Sequence, residues 1–242
     1  DLIRERYGIK IALFVFIPID VANFGTLLTN IAALKVSSQM LNLPSIPFIV
    51  CAIVMTFILI TKTRYEKSQK IFLLGMIFYF AYVFSSVKGN PDWGESIKSL
   101  FIPKSNFFTK ESFLINIAVL GTTITPWGQF FVQSYMKDKK VPIENLGFAK
   151  IESYIGAFIS NFFTFFIMVA TAATLFVHNV PFESGGQAAM AIKPIAGEFA
   201  SLLFAIGLVN AAIIGMVIVS LSSAYAFTEF FGFSGSLDEP YQ

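Results

Sequence analysis

The stretch GTTITPWGQ (residues 121–129) lies inside an apolar run that extends from about Phe113 to Gln133. A run of this length can cross a bilayer, which takes about 20 residues as a helix. Its middle is a poor helix, because Pro126 lacks a backbone donor and clashes with the carbonyl four residues back. In lipid the freed backbone groups need partners. The break therefore indicates either an ion or substrate site or a proline kink that shapes packing, and both alternatives stay open at this point.

The composition of the chain excludes an ordinary soluble domain. Hydrophobic residues make up 55% of the 242 residues and charged residues 13%, whereas soluble domains average about 25% charged. The mean hydropathy is +0.71. We expect an all-α, polytopic membrane protein whose partners include the lipid bilayer and no nucleic acid. The oligomeric state stays open.

Apolar runs predict six spans in one transmembrane domain, with a turn at 35–45 after the first span. The spans lie at about 11–34, 46–61, 70–87, 113–133 with a break at 124–129, 152–177 and 195–224. In the loop at 88–112, Trp93, Ile97, Leu100 and Phe101 share one face of a short predicted surface helix. The chain opens without Met in a charged segment and closes in a polar one, so we expect a fragment of a longer protein.

The distribution of positive charge predicts an orientation. Six spans place both ends on one side of the membrane. Of the 17 lysines and arginines, 11 lie on that side and six on the other. Since positive loops stay in the cytoplasm, both ends should be cytoplasmic. We expect a multi-pass protein of a bacterial cytoplasmic membrane.

Few residues suit catalysis or resident metal binding. The chain has one Cys and one His, and it lacks Walker, CxxC, HExxH and GxSxG motifs. We therefore expect no enzyme and no resident cofactor. Asp20 is the one carboxylate deep in a predicted span, and Asn23 follows at i+3, so we expect the two to share a helix face. They indicate either a functional pair or a polar packing contact.

Four segments in order resemble the Nramp family of divalent-metal transporters. They are LIRERYG (2–8), IDVANFGT (19–26), NPDWGESIKSLFIP (90–103) and SLSSAYAFTEFFGFSGSLDEP (220–240). The resemblance implies a LeuT-type inverted-repeat fold, with family helices three to eight in this chain. It also implies a metal site shared between two broken helices, the first of which is not in this chain.

The resemblance assigns the second half of that site to the broken stretch. The family's Ala-x-x-Met-Pro-His motif falls on Thr122, Thr125, Pro126 and Trp127, so the proline is kept and the thioether and imidazole are replaced. The family's second His falls at Val132. The residues expected to face the metal are Thr122 (through its carbonyl), Thr125 and Gln129. The residues expected to shape the site are Thr123, Pro126, Trp127 and Gly128. Asp20 and Asn23 are expected to form the permeation or coupling path, and Asn23 replaces the family's Glu.

These departures favour oxygen ligands over sulfur. Hydroxyl, carbonyl and water oxygens suit Mg²⁺, whereas thioethers suit softer transition metals. The TPWGQ form resembles a branch of Nramp-related magnesium transporters. We therefore expect uptake of Mg²⁺ or Mn²⁺ by alternating access, with weak or no proton coupling. The alternatives are a proton-coupled Mn²⁺ or Fe²⁺ transporter of the ordinary Nramp type and a non-transporting membrane subunit.

Overall fold

The computed structural model describes residues 2–62, 76–102, 109–138, 140, 142–173 and 197–233. Within these ranges the chain is helical and has no strand. Its helices are α1 Leu2–Tyr7, α2 Ile9–Met40, α3 Ser45–Lys62, α4 Phe80–Lys88, α5 Trp93–Phe101, α6 Lys110–Thr123, α7 Pro126–Asp138, α8 Leu146–Thr171 and α9 Glu198–Phe231. Short 3₁₀ turns at Met76–Tyr79 and Ile143–Asn145 lead into α4 and α8.

The centre of the fold is the antiparallel pair formed by α2 and α9. Asn23 of α2 bonds to Ser223 of α9, and Asn30 lies against Gly215. Residue numbers therefore rise along α2 in the direction in which they fall along α9. The α3 helix packs on both. The core they enclose contains Leu34, Ala52, Ala212, Ile213 and Met216.

Three of the described helical segments are long and apolar enough to cross a membrane. They are Ile9–Met40, Ile143–Thr171 and Ser201–Phe231, and Ser45–Thr61 is apolar but shorter. The described part of the chain leaves many of their large apolar side chains exposed, as expected for surfaces covered by lipid or by other helices. This pattern agrees with the prediction of an all-helical membrane protein.

The first long helix extends past the predicted end of its span. The predicted turn at 35–45 is helical as far as Met40, and the turn proper begins at Leu41. Polar residues end the apolar run near Lys35 but do not end the helix, because Ser37 and Ser38 donate their hydroxyls to carbonyls of the preceding turn. The helix ends shortly before Pro44.

Other boundaries also differ from the predicted spans. For the span at 152–177, α8 begins at Leu146, and residues 174–177 lie outside the described ranges. For the span at 195–224, α9 continues to Phe231, where Gly232 takes a left-handed conformation (φ 78°) that ends the helix. Residues 70–75 of the third predicted span and 195–196 of the sixth also lie outside the described ranges.

Candidate functional site

The apolar helix around Pro126 is interrupted in the structure. The α6 helix ends at Thr123 and α7 begins at Pro126, so only Ile124 and Thr125 are non-helical. This interruption is shorter than the predicted break at 124–129. Pro126 occupies the first position of α7, where its missing N–H would have had no helical partner, and α7 can therefore form immediately after it.

The break frees backbone carbonyls at the end of α6. The Ile124 N–H still donates to the Leu120 carbonyl at 2.8 Å, which closes the last turn. In a continuous helix, the carbonyls of residues 121, 122 and 123 would accept hydrogen bonds from the N–H groups of residues 125, 126 and 127. The donor for the Thr122 carbonyl would be the N–H of residue 126, and proline has none. This leaves a carbonyl oxygen at the break that a cation can use.

The hydroxyls of Thr122 and Thr123 are held by their own helix. Both donate to the Val119 carbonyl, at 2.8 and 2.9 Å. Their protons are thus occupied, while the oxygen lone pairs remain available as acceptors. Both residues are exposed in this chain, so a partner or ion can reach them.

Thr125 sits between the two half-helices and turns back over the start of α7. A Cβ added at Gly128 would lie 3.1 Å from the Thr125 Oγ1, and the Gly128 N–H donates to the Thr125 carbonyl at 3.2 Å. The glycine leaves space for the threonine hydroxyl. Thr125 is half-buried, and Gln129, one residue after Gly128, is exposed.

Trp127 connects the break to α9. Its carbonyl accepts a hydrogen bond from the Ser222 hydroxyl at 3.4 Å. Its indole Nε1 is buried, and no partner for it occurs among the described residues. Buried donors normally have a partner, so this N–H is open to a water molecule or to a group outside the described ranges.

Two further side-chain bonds hold α7 against α9. The Ser134 hydroxyl donates to the Glu229 carboxylate, and the Tyr225 hydroxyl donates to Asp138 Oδ2 at 2.7 Å. Phe131 is buried between them against Val217 and Leu221. By contrast, α6 has no buried residue. The two arms of the broken helix therefore differ in how they are held within this chain.

A cavity of about 160 Å³ lies between α1, α2, α7 and α9. Its wall includes Ile19, Ser134, Lys137, Ser222 and Glu229, with apolar side chains between them. This volume accommodates several water molecules. Ile19 precedes Asp20 in α2, and Ser222 contacts Trp127, but neither Asp20 nor Trp127 lines the cavity.

Asp20 and Asn23, the predicted pair on α2, differ in how deeply they are buried. Asn23 is 1% exposed, whereas Asp20 is exposed, so the rest of the described chain covers only one of the two. Residues three apart are separated by about 60° around a helix, and here the edge of the buried stripe falls between them. The Asn23 Nδ2 donates to the Ser223 hydroxyl at 2.8 Å, and its Oδ1 is buried without a partner among the described residues.

Adjacent serines of α9 therefore bring the predicted residues together. Ser222 bonds to the broken helix through Trp127, and Ser223 bonds to α2 through Asn23. Neither serine was among the residues predicted for the site. The signal available was the cluster of Ser220, Ser222 and Ser223 within four residues of an apolar helix.

The arrangement offers neutral oxygen ligands. Among the described residues, no group of three or more His, Cys, Asp or Glu side chains is placed to hold a metal ion. The residues of the break carry hydroxyl, amide and carbonyl oxygens in Thr122, Thr125 and Gln129. Oxygen atoms of this kind suit a hard, partly hydrated cation.

Comparison with known proteins agrees with these features. The chain is 24% identical over 179 residues to the "Divalent metal cation transporter MntH" of Pectobacterium carotovorum subsp. carotovorum (strain PC1), a match that covers 72% of this chain and 43% of the relative. The chain thus spans less than half the length of that curated relative.

The family comparison extends over nearly the whole chain. The sequence model of the family described as "Nramp: Natural resistance-associated macrophage protein-like" matches residues 1–241. It includes the broken helix, the Asn23 segment of α2 and the serine cluster of α9, and it confirms the resemblance found in the sequence. The chain belongs to the Nramp family.

Proposed function

We propose that the full-length protein containing this chain transports a divalent metal ion, Mg²⁺ in preference to Mn²⁺, into the cell by alternating access. The observation that carries the proposal is the interruption at Ile124 and Thr125 inside an otherwise apolar helix. Unpaired backbone groups at membrane depth are tolerated where they line a cavity or bind a solute. The MntH relative is described as a divalent metal cation transporter, which supports the same activity for this chain.

The ion preference follows from the ligands proposed at the break. Thr125, the Thr122 carbonyl and Gln129 present oxygen atoms, and Thr125 occupies the position of the family's methionine. Mg²⁺ dehydrates reluctantly and keeps several water molecules. We infer that the ion is held partly through its water, which the exposed Thr122 and Gln129 can contact. Thr123, Pro126, Trp127 and Gly128 shape this space.

The end of α6 adds a favourable electric field. The last carbonyls of a helix carry partial negative charge, equivalent to roughly half an elementary charge. At the break these carbonyls belong to residues 121–123. We infer that they favour a cation between the half-helices, with the remaining ligands supplied by a part of the protein outside this chain.

The proposed release route passes the cavity between α2, α7 and α9. Its lining residues include Ser134 and Glu229, together with the cationic Arg4 and Lys137, and Ile19 in the same wall precedes Asp20 in the chain. We infer that Asp20 attracts the hydrated ion and that Asn23 acts mainly through Ser223. The side chains at Trp127, Val132 and Asn23 do not titrate near neutral pH, so we infer weak or no proton coupling.

Uptake by the reconstituted full-length protein tests the proposal. Proteoliposomes with an internal Mg²⁺-sensitive dye should report Mg²⁺ entry, and a pH-sensitive dye should report no matching acidification. Mn²⁺ entry with acidification and without Mg²⁺ entry would instead identify a proton-coupled transporter of the ordinary Nramp type. Folded protein that is silent for both ions would support a non-transporting subunit.

We also propose that both ends of this chain face the cytoplasm of a bacterial cell. The support is the excess of lysine and arginine on that side of the predicted spans. Membrane-impermeant labelling of single cysteines introduced at Glu5 and at Lys98, in a background in which the exposed Cys51 is replaced by Ser, distinguishes the orientations. In intact cells Lys98→Cys should react and Glu5→Cys should not, and the reverse result would invert the topology.

A further inference from the structure

The short helix α5 has one apolar face and one polar face. Trp93, Ile97, Leu100 and Phe101 lie within a stripe about 100° wide at the helical period, and their side chains are 36%, 53%, 60% and 80% exposed. The opposite side carries Glu95, Lys98 and Ser99. We refer to the four apolar residues as the α5 stripe. None of the residues of α5 is buried.

Local hydrogen bonds stabilise the first turn of this helix. Asp92 accepts a hydrogen bond from the Glu95 N–H at 2.9 Å, which caps the first turn. The Ser96 hydroxyl donates to the Asp92 carbonyl at 2.7 Å. The helix is therefore defined by its own first turn, and the rest of the described chain covers little of its stripe.

The position of α5 relative to the membrane follows from α4 and α8. Phe80 contacts Phe163 with ring centroids 5.4 Å apart, and a Cβ at Gly89 would lie 3.0 Å from that of Ala173. Since the numbers rise together, α4 and α8 run in parallel and end on the same side.

From that end the chain folds back towards the apolar part of α8. Trp93 packs edge-on against Phe166, with centroids 6.2 Å apart. Phe166 precedes Ala173 by seven residues, which is about 10 Å along a helix. The indole is therefore below the end of a helix long and apolar enough to cross the membrane.

An aromatic row joins the α5 stripe to the outer surface of α8. Phe158 and Phe162 stack at 6.4 Å, and Phe162 meets Phe166 at 4.8 Å, next to Trp93. Phe158 is 72% exposed, so the row begins on a side of α8 that the described part of the chain leaves uncovered. The stripe continues this outward apolar surface.

We propose that α5 is an interfacial helix whose stripe is inserted into the bilayer, at the boundary between lipid headgroups and acyl chains. The occupant of this surface is lipid. An amphipathic helix of this kind buries its apolar face about 5–10 Å into the boundary and keeps its charges in water, and Trp is favoured at this depth. The inference does not depend on which ion, if any, the protein transports.

Trp93 is a native probe for the test. The full-length protein and its Trp93→Phe variant are placed in nanodiscs of ordinary or brominated phospholipid, and the difference between their emission spectra isolates Trp93. Brominated lipid should remove most of the Trp93 emission, while aqueous iodide should have little effect. Quenching by iodide and not by bromine would place the stripe in water. Resistance to both would show that protein covers it. Either result overturns the proposal.

A matched pair of variants checks the direction of the helix. In the Trp93→Phe background, Phe101→Trp places an indole on the stripe and Ser99→Trp places one on the polar side, two residues away. Lipid bromine should quench the first much more strongly than the second, and iodide should show the opposite order. Equal quenching of the two would contradict an inserted stripe.

Discussion

A Cβ atom added at Gly215 would lie 2.7 Å from both the Oδ1 and the Nδ2 atoms of Asn30. Real Cβ atoms essentially never approach other atoms this closely, so the amide rests directly on the glycine. The Asn30 amide thus occupies the space that the glycine leaves between α2 and α9. Small residues of this kind allow close packing of membrane helices.

We expect Gly215→Ala to destabilise the protein. The methyl group must displace the Asn30 amide or separate the helices, and overpacking of this kind costs about 1–3 kcal/mol. The better helix propensity of alanine offsets up to about 1 kcal/mol of that cost. Thermal unfolding in detergent measures the loss. In an Asn30→Ala background the same change should cost much less, because the opposing amide is gone.

Gly156→Ala is the matched control for that experiment. Gly156 lies inside α8, and an added Cβ there meets nothing within 4 Å. Alanine should be neutral or slightly stabilising, because glycine is a poor helix former. Equal losses for Gly215→Ala and Gly156→Ala would contradict the close approach of α2 and α9.

Ser223→Ala should destabilise the α2–α9 interface. The substitution removes the hydroxyl that accepts the hydrogen bond from Asn23 Nδ2. The other polar atom of that amide, Oδ1, already has no hydrogen-bond partner among the described residues. A buried group left unpaired costs about 1–3 kcal/mol. In an Asn23→Leu background the substitution should cost little. Ser153→Ala, at an exposed serine bonded within its own helix, should change the free energy of unfolding by less than about 0.5 kcal/mol.

Pro126→Ala should abolish transport and leave the protein folded. Alanine restores the N–H that the Thr122 carbonyl lacks, so α6 and α7 can join into one continuous helix. Ion uptake and thermal unfolding are measured together. Pro18→Ala is the control, since Pro18 also lies inside a helix but away from the break. Normal uptake by Pro126→Ala would show that the interruption is dispensable.

Thr125→Met should move the ion preference towards Mn²⁺ and Cd²⁺. The thioether is a softer ligand than the hydroxyl and suits these ions better than Mg²⁺. Competition between ions in the uptake assay gives the ranking. Thr164→Met, at an exposed threonine of α8, should leave the ranking unchanged. An unchanged ranking for Thr125→Met would mean that Thr125 does not face the ion.

The helical membrane class could be predicted because its signals are local. Apolar runs and the Pro126 break are visible without any contact between segments, and membership of the Nramp family confirms the all-helical LeuT-type fold. The boundaries were less accurate. The α2 helix continues through Ser37 and Ser38 because serine hydroxyls can form hydrogen bonds within a helix. The pattern of apolar residues ends earlier and therefore does not indicate where the helix ends.

The partners of the site could not be predicted for a different reason. The i+3 spacing of Asp20 and Asn23 places them near each other, but only the position of α9 decides that one is buried and the other exposed. Ser222 and Ser223 are about 100 and 200 residues from Trp127 and Asn23. Serines in an apolar helix usually bond to their own backbone, so the sequence did not distinguish these two.

The packing of Asn30 against Gly215 also has a consequence for how the protein is made. These residues are 185 positions apart, and ribosomes add roughly 5–20 residues per second, so α2 exists for roughly 10–40 seconds before Gly215 is synthesised. During that interval the amides of Asn23 and Asn30 lack the helix that later covers them. Chain synthesis therefore includes a period in which α2 is most exposed to premature association or quality control, and that period ends when α9 enters the membrane.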